Sequence, residues 1–287
     1  MKELLKFVPV RKDPVWGSEY WTVSAHPSGD CMVAEGTYAG MKLSELWEAH
    51  RELFGNTEGD RFPLLVKVIE AKKDLSIQVH PDNAYAKEHE NGSLGKSECW
   101  YIMEVGQDGR LVLGHHAESE AQADEWIKAG RWGDFIRYIP AETGEFIQID
   151  PGTVHSICGG IKLTEIQQNS DITYRLYDYG RLVDGKERPL HIRESLDVIG
   201  IPDRSEKNIF HDFPVNGHKT PYYQVRKHVI ETQCELEQTE AFQIISAVKG
   251  SGEIDGVTIG EGESLIVPYG YGTYRITGQI EILITSL

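Results

Sequence analysis

The stretch Asp74-Leu75-Ser76-Ile77-Gln78-Val79-His80-Pro81-Asp82 decides how the rest of the chain is read. Its residues alternate strictly. Successive side chains of an extended strand point to opposite faces, so Leu75, Ile77 and Val79 share one face and Asp74, Ser76, Gln78 and His80 the other. Pro81 has no amide N–H to give and ends the ladder just after the imidazole. An ordinary half-exposed strand alternates in the same way, and a solvated polar face is the default for it. What sets this segment apart is chemical. A hydroxyl, an amide and an imidazole occupy successive same-side positions, a set able to line a cavity and hold a cation.

Outward from this strand, the chain reads as more short strands between glycine-rich turns. Gly36 and Gly40, Gly92 and Gly95, Gly106 and Gly109, Gly159 and Gly160, and the series Gly250, Gly252, Gly256, Gly260, Gly262 mark the turns. Leu64-Leu65-Val66-Lys67-Val68-Ile69 and Glu145-Phe146-Ile147-Gln148-Ile149 have strand composition. Three segments carry a helical period instead: Leu43 to Phe54, Ser119 to Ile136, and His191 to Ile199. All three read as helices packed outside a sheet core. The charged stretch Gly180 to Asn216, with Pro189, Pro202 and Pro214, reads as a helical connector. β-rich blocks on either side of it point to a mainly β protein of two related sandwich units.

Composition narrows the function classes. The chain has 287 residues, enough for a core that needs no disulfide staples. With 29 Lys and Arg against 45 Asp and Glu, its formal charge is -16, which repels nucleic acid and anionic membrane but not a small anion held by a local cation cluster. The four cysteines, Cys31, Cys99, Cys158 and Cys234, form no C-x-x-C pair, which argues against a disulfide framework or a cysteine-only zinc site and fits a reducing compartment. The opening MKELLKFVPVRKDPVWG lacks a signal peptide's apolar stretch, and no later segment reaches the ~18 apolar residues of a membrane span. A cytoplasmic location is expected.

Three further motifs bear on chemistry. Gly95-Lys96-Ser97-Glu98 puts a cation and a carboxylate two apart; the bland alternative is a weak surface ion pair. Asp150-Pro151-Gly152-Thr153-Val154-His155 sets an imidazole three residues past a Pro-Gly turn; alone, His155 reads as a hydrogen-bonded structural histidine. Thr164 to Arg175 is a dense polar run, unlike a core strand, in which Glu165, Asp171 and Arg175 form either a cavity wall or a hydrogen-bonded loop. Taken together, Gln78, His80, Glu98 and His155 make a mixed set of one amide, two imidazoles and one carboxylate. Such a set suits Zn²⁺ and also Mn²⁺, Fe²⁺, Co²⁺ or Ni²⁺, and needs no thiolate.

In this order, LSIQVHPD (75–82), GKSE (95–98), PGTVHS (151–156) and EIQQNSDITYR (165–175) resemble the type I mannose-6-phosphate isomerases in their short bacterial form. The resemblance implies two cupin (jelly-roll) units with a few packing helices: a catalytic unit over 1–180 with a helical insertion at about 119–137, a connector over 181–216, and a cupin-like β unit over 217–287. It implies one divalent metal, usually zinc, on Gln78, His80, Glu98 and His155, and interconversion of mannose 6-phosphate and fructose 6-phosphate. The family's active-site arginine falls on Arg175, its lysine on Lys96, and acidic site residues on Glu165 and Asp171. Many members have proline where Ser97 stands, which alters loop stiffness but not the spacing.

Moving a proton between C1 and C2 through a cis-enediol needs a base, a group to hold the developing charge, and fixed sugar oxygens. Glu165 is the expected base, with Asp171 second. Arg175 and Lys96 are expected to hold charge or substrate. No P-loop is present. Ser76 and Lys96 are the expected phosphate contacts; Lys162, Arg181 and Arg188 lie nearby in sequence but read as solvated. Two other readings compete: a metal cupin oxygenase, and a non-catalytic sugar-phosphate sensor. Nothing in the sequence specifies an oligomer.

Overall fold

In the computed structural model of the chain, which describes residues 3–287, the alternating segment forms a strand of three residues, Ile77–Val79. Ile77 and Val79 pack on a helical layer, among Ala123, Ile127, Phe135 and Ile199. The pleat turns Gln78 the opposite way. Leu75 departs from the expected alternation. It precedes the strand and packs instead with Trp100, Ile102, Leu111, Leu113 and Ile147.

Ile77–Val79 belongs to an antiparallel five-stranded sheet in the order Ile136–Pro140, Arg110–His115, His155–Ile157, Ile77–Val79, Tyr174–Tyr177. A second sheet includes, in order, Ile209–Phe210, Phe146–Ile149, Glu98–Val105 and Ile161–Gln168. Their facing sides share one core. Trp100, Ile102, Leu111, Leu113, Ile147, Ile149, Ile157, Ile161 and Leu163 are each exposed by 2% or less. Burial of each such side chain contributes about 1.5–3 kcal/mol, so this core fixes the spacing of the two sheets. The mainly β architecture is as expected, with 45% of the chain in strands.

The Ser119 to Ile136 segment is not one helix. Ser119 caps a helix that runs Glu120–Lys128, Gly130 turns at φ +67°, and a second piece spans only Trp132–Phe135 before Ile136 opens a strand. Glycine in the left-handed region is a common helix terminator, and it outweighs the apolar period here. The connector contains a two-stranded hairpin, Leu182–Val183 with Lys186–Glu187, then the helix Ile192–Val198 and a 3-10 turn at Ser205–Asn208.

Two compact units divide the chain, and both are discontinuous. One comprises Lys12–Glu19 and Ile69–Asp212; the other comprises the chain up to Arg11, Tyr20–Val68 and Phe213–Leu287. This differs from the sequential division expected at 180 and 217. The reason is a long-range pairing. The strand Leu5–Val8 lies antiparallel to Ser264–Pro268, with Leu5 opposite Ile266, and no local pattern announces such a partner.

In this second unit the sheet runs His218–Lys219, Gln224–Ile230, Gly272–Ser286, Phe242–Ile254, Ser264–Pro268, Leu5–Val8, Met32–Val33. Its core is mostly isoleucine, including Ile245, Ile254, Ile276, Ile280 and Ile282. The helix Leu43–Ala49 buries Leu43, Leu46 and Trp47, and Trp47 packs with Phe54 and Phe62.

Candidate active site

The unit of residues 12–19 and 69–212 brings the expected ligands together. Gln78 lies in the strand Ile77–Val79, with His155 opposite it in register. His80 follows just past the strand's end, and Glu98 opens the strand Glu98–Val105. Gln78 Nε2 stands 3.2 Å from His155 Nε2. Glu98 Oε1 stands 3.3 Å from His155 Nε2 and its Oε2 3.6 Å from His80 Nε2. One ligand atom from each of His80, Glu98 and His155 lies within 4.8 Å of the others. These three residues are exposed by 1% or less. On the polar face of the strand Ser76 and His80 are buried while Asp74 and Gln78 are half-buried, so that face is less solvated than the default reading expects.

A backbone device sets this convergence. Gly152, at φ +86°, donates its N–H to the His80 carbonyl at 2.9 Å and accepts from the Gly200 N–H at 3.0 Å. A Cβ there would lie 2.8 Å from the Val198 carbonyl oxygen, so the turn demands glycine. Past it, His155 Nδ1 sits 2.9 Å from the Thr153 carbonyl. Donation from Nδ1 leaves Nε2 with its lone pair facing Gln78 and Glu98, the tautomer a metal ligand requires.

The donor set fits a divalent cation: two imidazoles and one carboxylate, buried and convergent, with the half-buried Gln78 amide beside them. A half-turn of the Gln78 amide presents Oε1, its ligating atom. Ser76, 3% exposed, donates to Gln78 Oε1 at 3.3 Å.

The Lys96–Glu98 pair is not a weak surface contact. Lys96 is 4% exposed, and its Nζ lies 2.5 Å from Glu98 Oε2, 3.0 Å from His80 Nε2 and 3.7 Å from Glu165 Oε1. The start of the polar run is likewise a core strand after all, Ile161–Gln168, with Glu165, Gln167 and Gln168 buried. Glu165 faces Trp100 in register and receives its indole N–H at 2.9 Å. That contact was invisible in sequence, though Trp100 stands two residues past Glu98 on the same strand face.

Arg175 pairs with Gln78 across the ladder. Its backbone N–H donates to His191 Nδ1 at 3.2 Å, and its carbonyl accepts from the His191 N–H at 2.8 Å. With both groups turned to His191, the Arg175–Gln78 pair is of the kind without ladder bonds, whose side chains approach most closely. Arg175 Nε is buried without a hydrogen-bond partner among the described residues. Burial, with Arg188 nearby, pulls its guanidinium below its usual range. Asp171 differs from Glu165: it lies exposed between the strands Ile161–Gln168 and Tyr174–Tyr177.

Arg181 and Arg188 are not solvated as expected. Both grip the buried Asp178, Arg188 Nε at 2.6 Å from Oδ2 and Arg181 Nε at 3.1 Å from Oδ1. Burial alone would raise the Asp178 carboxyl; these hydrogen bonds outweigh it and hold the carboxyl below its ordinary value. Lys162 pairs with Glu104 at 3.1 Å.

Comparison with known proteins agrees with this geometry. The model of the family "Phosphomannose isomerase type I, catalytic domain" matches residues 8–102, and that of "Mannose-6-phosphate isomerase, cupin domain" matches 216–287. Mannose-6-phosphate isomerase ManA of Bacillus subtilis (strain 168) is 39% identical, over 99% of both chains. Mannose-6-phosphate isomerase of Streptococcus mutans is 40% identical over 92% of this chain and 87% of its own. The crystal structure of the mannose 6-phosphate isomerase from Bacillus subtilis superposes with a TM-score of 0.93 at 35% identity, covering all of both chains. His155, Glu165 and Arg175 fall between the two family-model matches, in the region that the full-length relatives span. With that span covered at such identity, the chain belongs to the type I phosphomannose isomerases.

Proposed function

We propose that this protein is a metal-dependent aldose–ketose isomerase that interconverts mannose 6-phosphate and fructose 6-phosphate through a cis-enediolate. One observation carries the reading: a buried carboxylate and a buried ammonium, Glu165 and Lys96, stand 3.7 Å apart beside the His80–Glu98–His155 cluster. The names of the full-length relatives favour this reading over an oxygenase or a sensor.

Gln78, His80, Glu98 and His155 would hold the ion, for which we propose zinc; when bound it supplies Lewis acidity toward the sugar's carbonyl end. Glu165 takes the proton from C2 of the aldose and returns it to C1 of the enediolate, while the proton of the C2 hydroxyl passes to O1, giving the ketose. The Trp100 indole fixes one of its oxygens and so aims the other. Arg175, on the face of Gln78, holds the negative charge of the enediolate. Lys96 stands between the Glu98 and Glu165 carboxylates and completes the positive wall. Ser76 is placed to contact substrate near Gln78. Asp171, exposed, is a second acidic group for the rim rather than for the proton transfer. We place the protein in the cytoplasm, which its four free cysteines support.

Glu165→Gln tests the mechanism. It should lower turnover of mannose 6-phosphate about 10²–10⁴-fold while the metal content stays unchanged. Wild-type enzyme in deuterated water should incorporate solvent hydrogen at the transferred position. Near-normal turnover of the variant would remove Glu165 as the base.

A further inference from the structure

Gln167 has no role in the chemistry above, yet it stands beside that chemistry. It lies opposite Glu98 in register, two residues beyond Glu165 on the same strand face. The Gln168 N–H donates to the Ser97 carbonyl at 3.1 Å, so the neighbouring pair carries the ladder bond. Gln167 and Glu98 are then a pair without ladder bonds, with Cβ atoms about 4.5–5.5 Å apart. Gln167 is 1% exposed.

Its amide has one permitted orientation. Nε2 donates to the Gln168 carbonyl at 2.9 Å and to the Ser170 carbonyl at 2.5 Å. Flipping the amide would set oxygen against two oxygens. The other end, Oε1, is therefore fixed, and it is buried without a hydrogen-bond partner among the described residues. Leaving a buried acceptor unmet is costly, so such a group calls for a donor.

An amide oxygen carries no hydrogen and can only accept. The carbonyl and phosphate of a sugar phosphate offer acceptors; its secondary hydroxyls offer donors. We propose that Gln167 is a substrate-binding residue whose Oε1 accepts a hydrogen bond from a hydroxyl, at C3 or C4, of the open-chain sugar phosphate. The inference rests on the isomerase reading and deepens it: Gln167 makes the site discriminate against sugars that lack that hydroxyl. A site built to hydrogen-bond a substrate hydroxyl rejects the analogue without it, because the site's own polar group is left unmet.

The test is a cycle between substrate and residue. Zinc-loaded wild type and Gln167→Met are assayed on mannose 6-phosphate and on its 3-deoxy and 4-deoxy analogues. Wild type should lose about tenfold in kcat/KM on one of the two deoxy sugars. Gln167→Met should lose about tenfold on mannose 6-phosphate and show no further loss on that same deoxy sugar. An unchanged ratio between sugars in the variant would overturn the proposal and assign Oε1 to an internal water. Should the variant fail to fold, wild type alone decides against it if neither deoxy sugar is penalised. Absence of wild-type turnover on mannose 6-phosphate itself would instead bring down the isomerase reading.

Discussion

Lys96→Met removes a charge and keeps most of the side chain's length. The ammonium now lies 2.5 Å from Glu98 Oε2 and 3.7 Å from Glu165 Oε1. Those carboxylates are 0% and 3% exposed. Without the lysine, two buried negative groups share one pocket. Breaking a buried pair in this way costs roughly 3–5 kcal/mol, because the remaining charge is uncompensated. A divalent cation held by His80, Glu98 and His155 supplies positive charge to the same pocket, so the metal-loaded variant should lose much less. For a unit of this size 1 kcal/mol moves Tm by roughly 2–4 °C. The metal-free variant should therefore melt roughly 6–20 °C below metal-free wild type. The assay is thermal unfolding of both proteins at pH 8, after chelation and again with zinc. A metal-free variant melting within about 2 °C of wild type at pH 8 would refute the reasoning, as would a gap that zinc leaves unchanged.

Burial pulls the imidazoles of His115, His191 and His228 below their ordinary range, helped by Arg175 at His191 and by Arg226 at His228. As pH falls, the unfolded chain takes up these protons first, so stability is full above about pH 6.5 and declines below it; urea midpoints at pH 7.5 and 5.5 should differ in that direction. Gly152→Ala strains a left-handed turn and drives a Cβ to 2.8 Å from the Val198 carbonyl oxygen. It should cost about 1–3 kcal/mol and lower metal content, read by denaturation and elemental analysis. Arg175→Lys keeps the charge but loses the planar fork; kcat should fall about 10²–10³-fold with metal content intact.

The mainly β fold is legible in the sequence, as is a set of candidate ligands that the structure brings close together. Gln78, His80, Glu98 and His155 are recognisable because ligand chemistry restricts residue type, and the spacing of their motifs survives in the chain. The β character was legible for a similar reason: alternation and glycine turns are local signals. Where information is not local, reading stopped. Nothing near Leu5 announces Ile266, so the discontinuous units were missed. The Thr164 to Gln168 run looked too polar for a core strand because its partners, Trp100 for Glu165 and Ser97 for Gln168, arrive from some 65 to 71 residues away. Arg181 and Arg188 looked solvated because the buried Asp178 between them gives no sign of its burial. His191 stands at the start of a helix, as its period indicates, but nothing in the sequence signals that it also holds the backbone of Arg175.

The pairing of Leu5 with Ile266 has a consequence during synthesis. The two residues are 266 − 5 = 261 positions apart, and a ribosome adding about 5–20 residues per second leaves the earlier strand waiting roughly 13–50 s for its mate. For that interval a nascent Leu5–Val8 is an open edge with unmet N–H and C=O groups, an invitation to wrong partners. The segment Ile69–Asp212 emerges in the meantime and carries all the groups assigned to the metal and the sugar. Order of manufacture thus separates the part that does chemistry from the part that must stay patient, and temperature-sensitive yield should track the latter.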